Sequence, residues 1–268
     1  MNATENQIIS GARPENMQLY LLTYDHAVGC PTIQDEARKT IVLLEQNPEL
    51  KTGAQIEGWT LDWLAKNDPA FIEEMREWIT RFKGRWLPTG ASYGQPHFTF
   101  VSEESSIRQI FYGTRALKEH LDFENDIYLY SEHETMPQMP QVLVGMGYRG
   151  AYFRTHMQYG GDGPARDADW VLWTGPDGSS IPAIPAYSGK EQCDANMWLM
   201  TGYGDRVHWA DMEKFAAEMR SRGVQHPLVS RCDDWGTRPK PELLRDVKEH
   251  ANTARWVCLL YTSPSPRD

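Results

Sequence analysis

The regular alternation of short apolar runs with longer helical patterns most constrains how this chain can fold. The first run, "LYLLTYDH" from Leu19 to His26, is continuously apolar and ends in polar residues, which is typical of a strand buried on both faces with its C-terminal end at a site. Further strands are predicted in "TGAQIEG", "GRWLPTGA", "DIYLYSE", "GAYFRTH" and "HPLVSRCDD", with two more around a turn in "DWVLWTGPDGSSIPAIPAY". Alternation of this kind predicts a parallel α/β architecture, and its length favours a barrel over an open sheet.

Helices are predicted between these strands from apolar spacing and from capping residues. Asp68 followed by Pro69 is typical of an N-cap and a first helical position, and apolar residues continue from Ile72 at three- and four-residue spacing. The other predicted helices cover 33–46, the region of Ile107 to Leu117, "PQVLVGMG" up to Gly147, Met212 to Met219 before Gly223, and 241–249. Each predicted helix lies between two predicted strands or after the last one.

Charge and apolar content exclude two classes of partner. The 268 residues carry a formal net charge of -10 without acidic blocks, so the surface would repel phosphate backbones, and nucleic acid is not expected as a partner. No apolar run approaches the length of a signal peptide or a membrane span. The four cysteines have no C-x-x-C spacing, so neither a zinc knuckle nor a disulfide framework is predicted. We expect a soluble, cytoplasmic protein.

Chemically active side chains follow four of the predicted strands, where barrel enzymes place their reacting residues. They are Asp25 and His26; Glu132, His133 and Glu134; Arg154 and His156; and Asp233 and Asp234. Carboxylates and histidines from different strands can bind a divalent metal such as zinc. Two carboxyl groups can also serve as nucleophile and general acid in glycoside hydrolysis. Each group alone has a structural explanation as a loop or ion-pair residue, but their joint placement favours a site.

The order of motifs along the chain resembles the N-terminal catalytic domain of glycoside hydrolase family 38, the α-mannosidases. The resemblance is carried by "LYLLTYDHAVG", "EGWTLDWLAKNDPAFIEEMREWI", "GRWLPTGASYGQP", "SEESSIRQIFYG", "YLYSEHETMPQMPQVLVGMGYRGAYFRTH" and "WVLWTGPDGSSIPAIPAY". It implies an irregular seven-stranded β/α barrel of the glycoside hydrolase and deacetylase type. It also implies a carbohydrate substrate, a bound divalent metal, expected to be zinc, and cleavage of mannosides with retention through a metal-bound carboxylate nucleophile.

The resemblance implies roles for individual residues, although the family motifs are altered here. The family's metal-binding His-x-Asp stretch corresponds to "TYDHAV", which assigns Asp25 and His26 as ligands in changed order. Glu132 is the nearest match to the family's nucleophilic aspartate, with His133 and Glu134 as alternatives, and Glu132 and His133 complete the implied metal ligands.

The remaining implied roles concern the substrate and the acid/base. Asp234 in "CDDWG" falls at the acid/base position. Arg154 and His156 are implied to support substrate binding, and Tyr187 in "PAYSG" lies where the family has a substrate-contacting tyrosine. A further histidine ligand of the family is expected beyond Val257.

The chain is expected to divide into three parts. Residues 1–16 form a polar N-terminal segment, residues 17–257 form the barrel, and residues 258–268, "CLLYTSPSPRD", resemble a translated sequencing adapter and are expected to be non-native. The barrel would then be truncated. Two other functions fit the same residues: a metal-dependent carbohydrate deacetylase on a related barrel, and a carbohydrate-binding relative that has lost catalysis.

Overall fold

The computed structural model describes residues 19–26, 33–90, 92–98, 100–130, 136–153, 166–185, 187, 209–234 and 241–257. The described chain contains nine strands: β1 (Leu19–His26), β2 (Thr52–Gln55), β3 (Trp86–Thr89), β4 (Ile127–Tyr130), β5 (Gly150–Phe153), β6 (Val171–Thr174), β7 (Ser180–Ile184), β8 (Leu228–Asp234) and β9 (Ala254–Val257). It also contains seven helices: α1 (Ile33–Gln46), α2 (Gly58–Asn67), α3 (Pro69–Arg81), α4 (Glu103–Leu121), α5 (Met139–Gly145), α6 (Trp209–Ser221) and α7 (Pro241–Glu249).

The described strands form two sheets. The first sheet has the order β3-β2-β1-β8, with β9 also paired to β1, and all of its pairs are parallel. The second sheet has the order β4-β5-β7-β6, in which the β6–β7 hairpin is antiparallel. Because the strands of the first sheet run in one direction, the carboxyl ends of β1, β2, β3 and β8 lie at one edge, called here the carboxyl edge.

Strand β1 is the centre of the first sheet because three strands pair with it. Its ladder with β8 runs from Tyr20 to His26, along almost the whole strand. The ladder with β9 covers Leu19 to Leu22, and the ladder with β2 covers Tyr24 and Asp25. Since residues of both shorter ladders also pair with β8, β9 and β2 share the opposite side of β1.

Each sheet has its own apolar core. The larger core packs the first sheet against the helices around it and includes an edge-to-face series of Phe71, Trp78 and Trp86, with ring centroids 5.6 and 5.7 Å apart. The smaller core packs the second sheet against α5 through residues such as Tyr128 and Leu143. Between these two parts the Asn125 side chain donates to the Gly90 carbonyl at 2.8 Å.

Local sequence signals explain where several helices begin and end. The Asp68 side chain accepts a hydrogen bond from Phe71 N at 3.3 Å at the start of α3, and Pro69 takes the first helical position. Ser102 caps α4 in the same way, accepting from Ser105 N at 3.2 Å. The chain turns after α6 at Gly223, which has a φ of +100°. Glycine adopts this conformation readily, whereas other residues are strained in it.

Most predicted elements are confirmed, while two elements were not predicted and the closed barrel stays a prediction. Predicted helices 33–46 and 241–249 have the observed bounds, and the turn at 176–178 joins β6 to β7. Helix α2 and strand β9 were not predicted. The mixed α/β class with mainly parallel strands is confirmed, but no backbone ladder joins the two sheets among the strands that the structure describes. None of the described helices combines the length and apolarity needed to cross a membrane.

Candidate active site at the carboxyl edge

The carboxyl ends of β1 and β8 bring four of the predicted site positions to one level. In the parallel ladder Asp25 is the register partner of Asp233, and His26 is the register partner of Asp234. Neighbouring parallel strands lie roughly 4.8 Å apart. The backbone therefore places the predicted metal ligands of β1 directly beside the predicted acid/base of β8, although more than half of the chain separates them in sequence.

The predicted residues that follow β4 and β5 lie outside the described residues. These are Glu132, His133 and Glu134 after β4, and Arg154 and His156 after β5. The two strands that lead to them are parallel, and their last residues, Tyr130 and Phe153, are register partners. Strands β4 and β5 thus end at the same level of the second sheet.

The donor types at the end of β1 fit a divalent metal of the zinc class. Asp25 offers carboxylate oxygens and His26 an imidazole nitrogen, which are ordinary zinc ligands. Among the side chains that the structure describes, no group of three or more histidines, cysteines or carboxylates is placed to hold a metal ion. The side chains of all four proposed ligands, Asp25, His26, Glu132 and His133, fall outside that set, so the ligand assignment stays a prediction.

Glu57 is a buried carboxylate at the carboxyl edge that was not predicted from the sequence. It comes two residues after β2, and it is only 5% exposed. Glutamate is almost never buried to this degree unless another group pairs with it. Its signal in the sequence is weak, because "TGAQIEG" shows one acidic residue at a strand end and local spacing does not reveal burial.

Backbone hydrogen bonds fix the chain around Glu57. Ile56 N donates to Thr89 O at 3.0 Å, which extends the β2–β3 ladder beyond the strands. Gly58 N and Trp59 N donate to the carbonyls of Ser92 and Tyr93 at 3.1 and 2.9 Å. The first turn of α2 is therefore tied to the segment that follows β3. The indole N–H of Trp59 donates to the Glu57 carboxylate.

Tyr187, the predicted substrate contact, lies within the larger core. It is 2% exposed, its ring centroid is 5.9 Å from that of Phe215, and its hydroxyl accepts a hydrogen bond from Leu228 N at 3.0 Å. Burial raises the pKa of its phenol above the usual range. The hydroxyl thereby holds the first residue of β8, and a contact with substrate stays a prediction.

A second group of polar residues lies on the outer helices. A cavity of about 290 Å³ is lined by residues of α2, α4 and the segment after β3, namely Asp62, Tyr93, Tyr112, Arg115, Ala116 and Glu119. The Tyr93 hydroxyl donates to Asp62 at 2.9 Å, and His120 Nε2 lies 2.7 Å from the other Asp62 oxygen. These bonds join the three segments.

The electrostatics of this outer cluster follow from its hydrogen bonds. Burial raises the pKa of Asp62, but the bonds from His120 and Tyr93 act in the opposite direction, and the net shift is downward. The bond to the Asp62 carboxylate, together with burial, raises the pKa of the Tyr93 phenol. Asp62 is therefore held ionised by two donors, which suits a structural connection between helices.

Three solved structures with the same fold have names that refer to carbohydrates. An α-mannosidase from Enterococcus faecalis superimposes with a TM-score of 0.63 at 13% identity, over 90% of this chain and 28% of that one. A 4-alpha-glucanotransferase from Thermococcus litoralis gives 0.60 at 17% identity, over 90% and 37%. A Mycobacterium smegmatis protein assigned to the polysaccharide deacetylases gives 0.56 at 14% identity, over 92% and 89%. At these identities the likeness shows the fold alone. It confirms the expected α/β fold of the glycoside hydrolase and deacetylase type.

Sequence comparison identifies the family. Alpha-mannosidase G of Dictyostelium discoideum is 25% identical over 169 residues, which are 62% of this chain and 15% of that protein's length. Residues 20–264 match the family described as glycosyl hydrolases family 38 N-terminal domain, and this match includes part of the 258–268 segment. Since the match covers nearly the whole chain, the chain belongs to the glycosyl hydrolase family 38 N-terminal domain family.

Proposed function

We propose that this chain carries the catalytic site of a retaining, metal-dependent glycoside hydrolase that acts on α-mannosides. Family membership supports the glycosidase class, because the matched region covers residues 20–264. The likeness to Alpha-mannosidase G supports mannosides as the substrate class. The observation that carries the proposal is the β1–β8 register, which sets Asp25 and His26 level with Asp233 and Asp234 at one edge.

Two carboxyl groups would divide the chemistry between them. The Glu132 carboxylate attacks the anomeric carbon while the bond to the leaving oxygen breaks, and the Asp234 carboxyl gives its proton to that oxygen. In the second step Asp234 takes a proton from water, whose oxygen displaces Glu132 from the anomeric carbon and releases the sugar with its original configuration. Arg154, His156 and Tyr187 would hold the sugar.

Asp25, His26, Glu132 and His133 would hold a divalent metal, expected to be zinc. When bound, the metal would supply positive charge that orients sugar hydroxyls and stabilises negative charge in the transition state. Because Glu132 is one methylene longer than an aspartate at the same position, Glu132→Asp tests whether its reach is adapted to this chain. We expect Glu132→Asp to lower turnover.

The decisive test compares Asp234→Asn with a matched control. Asp177→Asn makes the same chemical change at an exposed carboxylate in the β6–β7 turn. Hydrolysis of an aryl α-mannoside should fall by about 10²–10⁴-fold in Asp234→Asn and stay unchanged in the control. Near-normal turnover in Asp234→Asn would remove Asp234 from the acid role.

Retention of configuration is tested separately. Nuclear magnetic resonance can identify which anomer of the sugar is released first, and a retaining enzyme should release the α-anomer.

The fold likeness to a deacetylase favours carbohydrate deacetylation as the alternative function. The Mycobacterium smegmatis structure matches over 89% of its own length. Acetate release from acetylated sugars without glycosidic cleavage would favour deacetylation. Sugar binding without either reaction would instead favour a non-catalytic carbohydrate-binding relative.

A further inference from the structure

We propose that Trp59 is a sugar-contacting residue at the carboxyl edge and that Glu57 is the residue that positions its indole. This inference rests on the proposed carbohydrate substrate and adds a contact on the β2 side of the site. Neither residue belongs to the set expected from the family motifs. The proposal follows from where the two residues lie, how Glu57 is bonded, and how the Trp59 side chain is exposed.

Both residues lie at the same edge as the predicted site. Ala54 in β2 is the register partner of Asp25, and Glu57 follows three residues later. Three residues of extended chain span at most about 10 Å. Helix α2 then begins at Gly58, so Trp59 occupies its first turn at the carboxyl edge.

The burial of Glu57 is not explained by helix capping. Glu57 is the N-cap residue of α2, yet its side chain makes no capping hydrogen bond. Its carboxylate instead accepts the indole N–H of Trp59. The indole N–H is the only polar donor of a tryptophan side chain and has a fixed direction on the ring. The contact therefore fixes the orientation of a large aromatic side chain.

Trp59 combines a fixed orientation with an open surface. Its side chain is 39% exposed although its indole N–H is engaged. Because Cα–Cβ bonds in a helix tilt toward the helix N-terminus, the ring leans back toward the carboxyl edge. Tryptophan offers a flat apolar face, and sugars present apolar C–H faces that pack on such rings. A ring whose polar atom is already bonded can receive a sugar without losing a hydrogen bond.

Trp63 provides a matched control within the same helix. It lies one turn further along α2, about 6 Å from the level of Trp59, and it is 49% exposed. Both tryptophans are on the solvent-facing stripe of α2, but only Trp59 reaches back to Glu57. If exposure alone favoured sugar contact, the two residues would contribute equally. The proposal predicts that they do not.

The test measures binding of α-1,2-linked mannobiose by calorimetry in the Asp234→Asn background, where cleavage should be about 10²–10⁴-fold slower. Trp59→Ala should weaken binding roughly 3- to 10-fold, Trp59→Phe should retain part of the affinity, and Trp63→Ala should bind like the parent. Glu57→Gln keeps an acceptor oxygen and should bind nearly like the parent. Glu57→Ala should weaken binding, and combining it with Trp59→Ala should add little.

Equal losses in Trp59→Ala and Trp63→Ala, or no loss in Trp59→Ala, would overturn the inference. The outcome is separable from that of the proposed function by assaying aryl α-mannoside hydrolysis with Asp234 intact. Hydrolysis with Trp59-independent binding removes only the inference, whereas Trp59-dependent binding without hydrolysis removes only the proposed activity. Absence of both binding and hydrolysis overturns both.

Discussion

Asp62 shows how one carboxylate can connect three segments of the outer surface. Its two oxygens bond to Tyr93 after β3 and to His120 in α4, while Asp62 itself lies in α2. The pKa of this carboxyl is lowered, because the two hydrogen bonds outweigh the opposing effect of burial. A carboxyl with a lowered folded-state pKa stabilises the fold above its unfolded pKa near 4, and this contribution is lost as pH falls through the folded value.

We therefore predict that Asp62→Asn changes the pH dependence of unfolding. The Asp62 side chain is 45% exposed, so its hydrogen bonds to Tyr93 and His120 should contribute only about 0.2–1 kcal/mol at neutral pH. The variant should be less stable than wild type by this amount at about pH 6, and the difference should shrink toward about pH 3. Urea unfolding at both pH values measures it. A difference that is the same at both values would contradict the assignment, and His120→Gln should show a similar loss at neutral pH.

Tyr187 allows its two possible roles to be separated by one substitution. Its buried hydroxyl accepts a hydrogen bond from Leu228 N, and removing an acceptor from a buried N–H costs about 1–3 kcal/mol. Tyr187→Phe should lower the free energy of unfolding by this amount in denaturant titrations. If Tyr187 also contacts the sugar, KM should rise as well. An unchanged stability would show that the Leu228 bond contributes little.

Single residues differ in how far the sequence can predict their place. Asp25, His26 and Asp234 end strongly patterned strands, so their common edge could be inferred before the register was known. The burial of Glu57 depends on tertiary contacts between α2 and the segment after β3. The local spacing of residues does not reveal such contacts. Tyr187 is the last residue of a stretch predicted to form strands, yet its packing against Phe215 brings together residues that are distant in sequence.

At the scale of elements, the close packing of α2 against α4 depends on glycine. A Cβ added at Gly58 would lie 2.9 Å from the Tyr93 ring and 3.0 Å from the Gly113 backbone. Gly58→Ala should therefore lower the free energy of unfolding by about 1–3 kcal/mol, as in other overpacked sites. Gly145→Ala in α5 is the matched control, because a Cβ there meets no atom within 4 Å. Thermal unfolding of both variants tests this, and equal effects would contradict it.

The elements that were predicted well carry their signals locally. Asp68 and Pro69 define the start of α3 through an N-cap bond that needs only neighbouring residues. Helix α2 is short and abuts α3 at Asp68, so the apolar pattern of the two helices does not show a boundary. Strand β9 has four residues and is defined by its ladder with β1, which is a contact between opposite ends of the described chain.

At the scale of the whole molecule, metal binding should be coupled to stability. If Asp25, His26, Glu132 and His133 bind zinc in the folded chain only, zinc at about 100 times its Kd adds about 2.7 kcal/mol to the free energy of unfolding. The midpoint of thermal unfolding should then fall by about 5–10 °C after chelation and recover with added zinc. Asp25→Asn should reduce this response. A midpoint of thermal unfolding that changes with neither chelator nor added zinc would contradict the ligand assignment.

The fold class of the whole molecule could be predicted from the sequence, but the order in which its strands pair could not. Repeated strand–helix alternation indicates parallel pairing, and every described ladder except the β6–β7 hairpin is parallel. Which strands become neighbours depends on packing between segments that are far apart. The placement of both β9 and β2 along one side of β1 has no counterpart in the apolar pattern.

The three-strand pairing of β1 has a consequence for the order in which the chain can fold during synthesis. The ladder partners of Tyr20, Leu228 and Arg255, are made roughly 200 residues after it. At typical elongation rates this is a delay of about 10–40 s. During that time most backbone groups of an apolar strand lack their final partners, and such strands recruit other chains. Of the strands that the structure describes, β1 is thus made first but completed among the last, and we expect chaperones to protect it during synthesis.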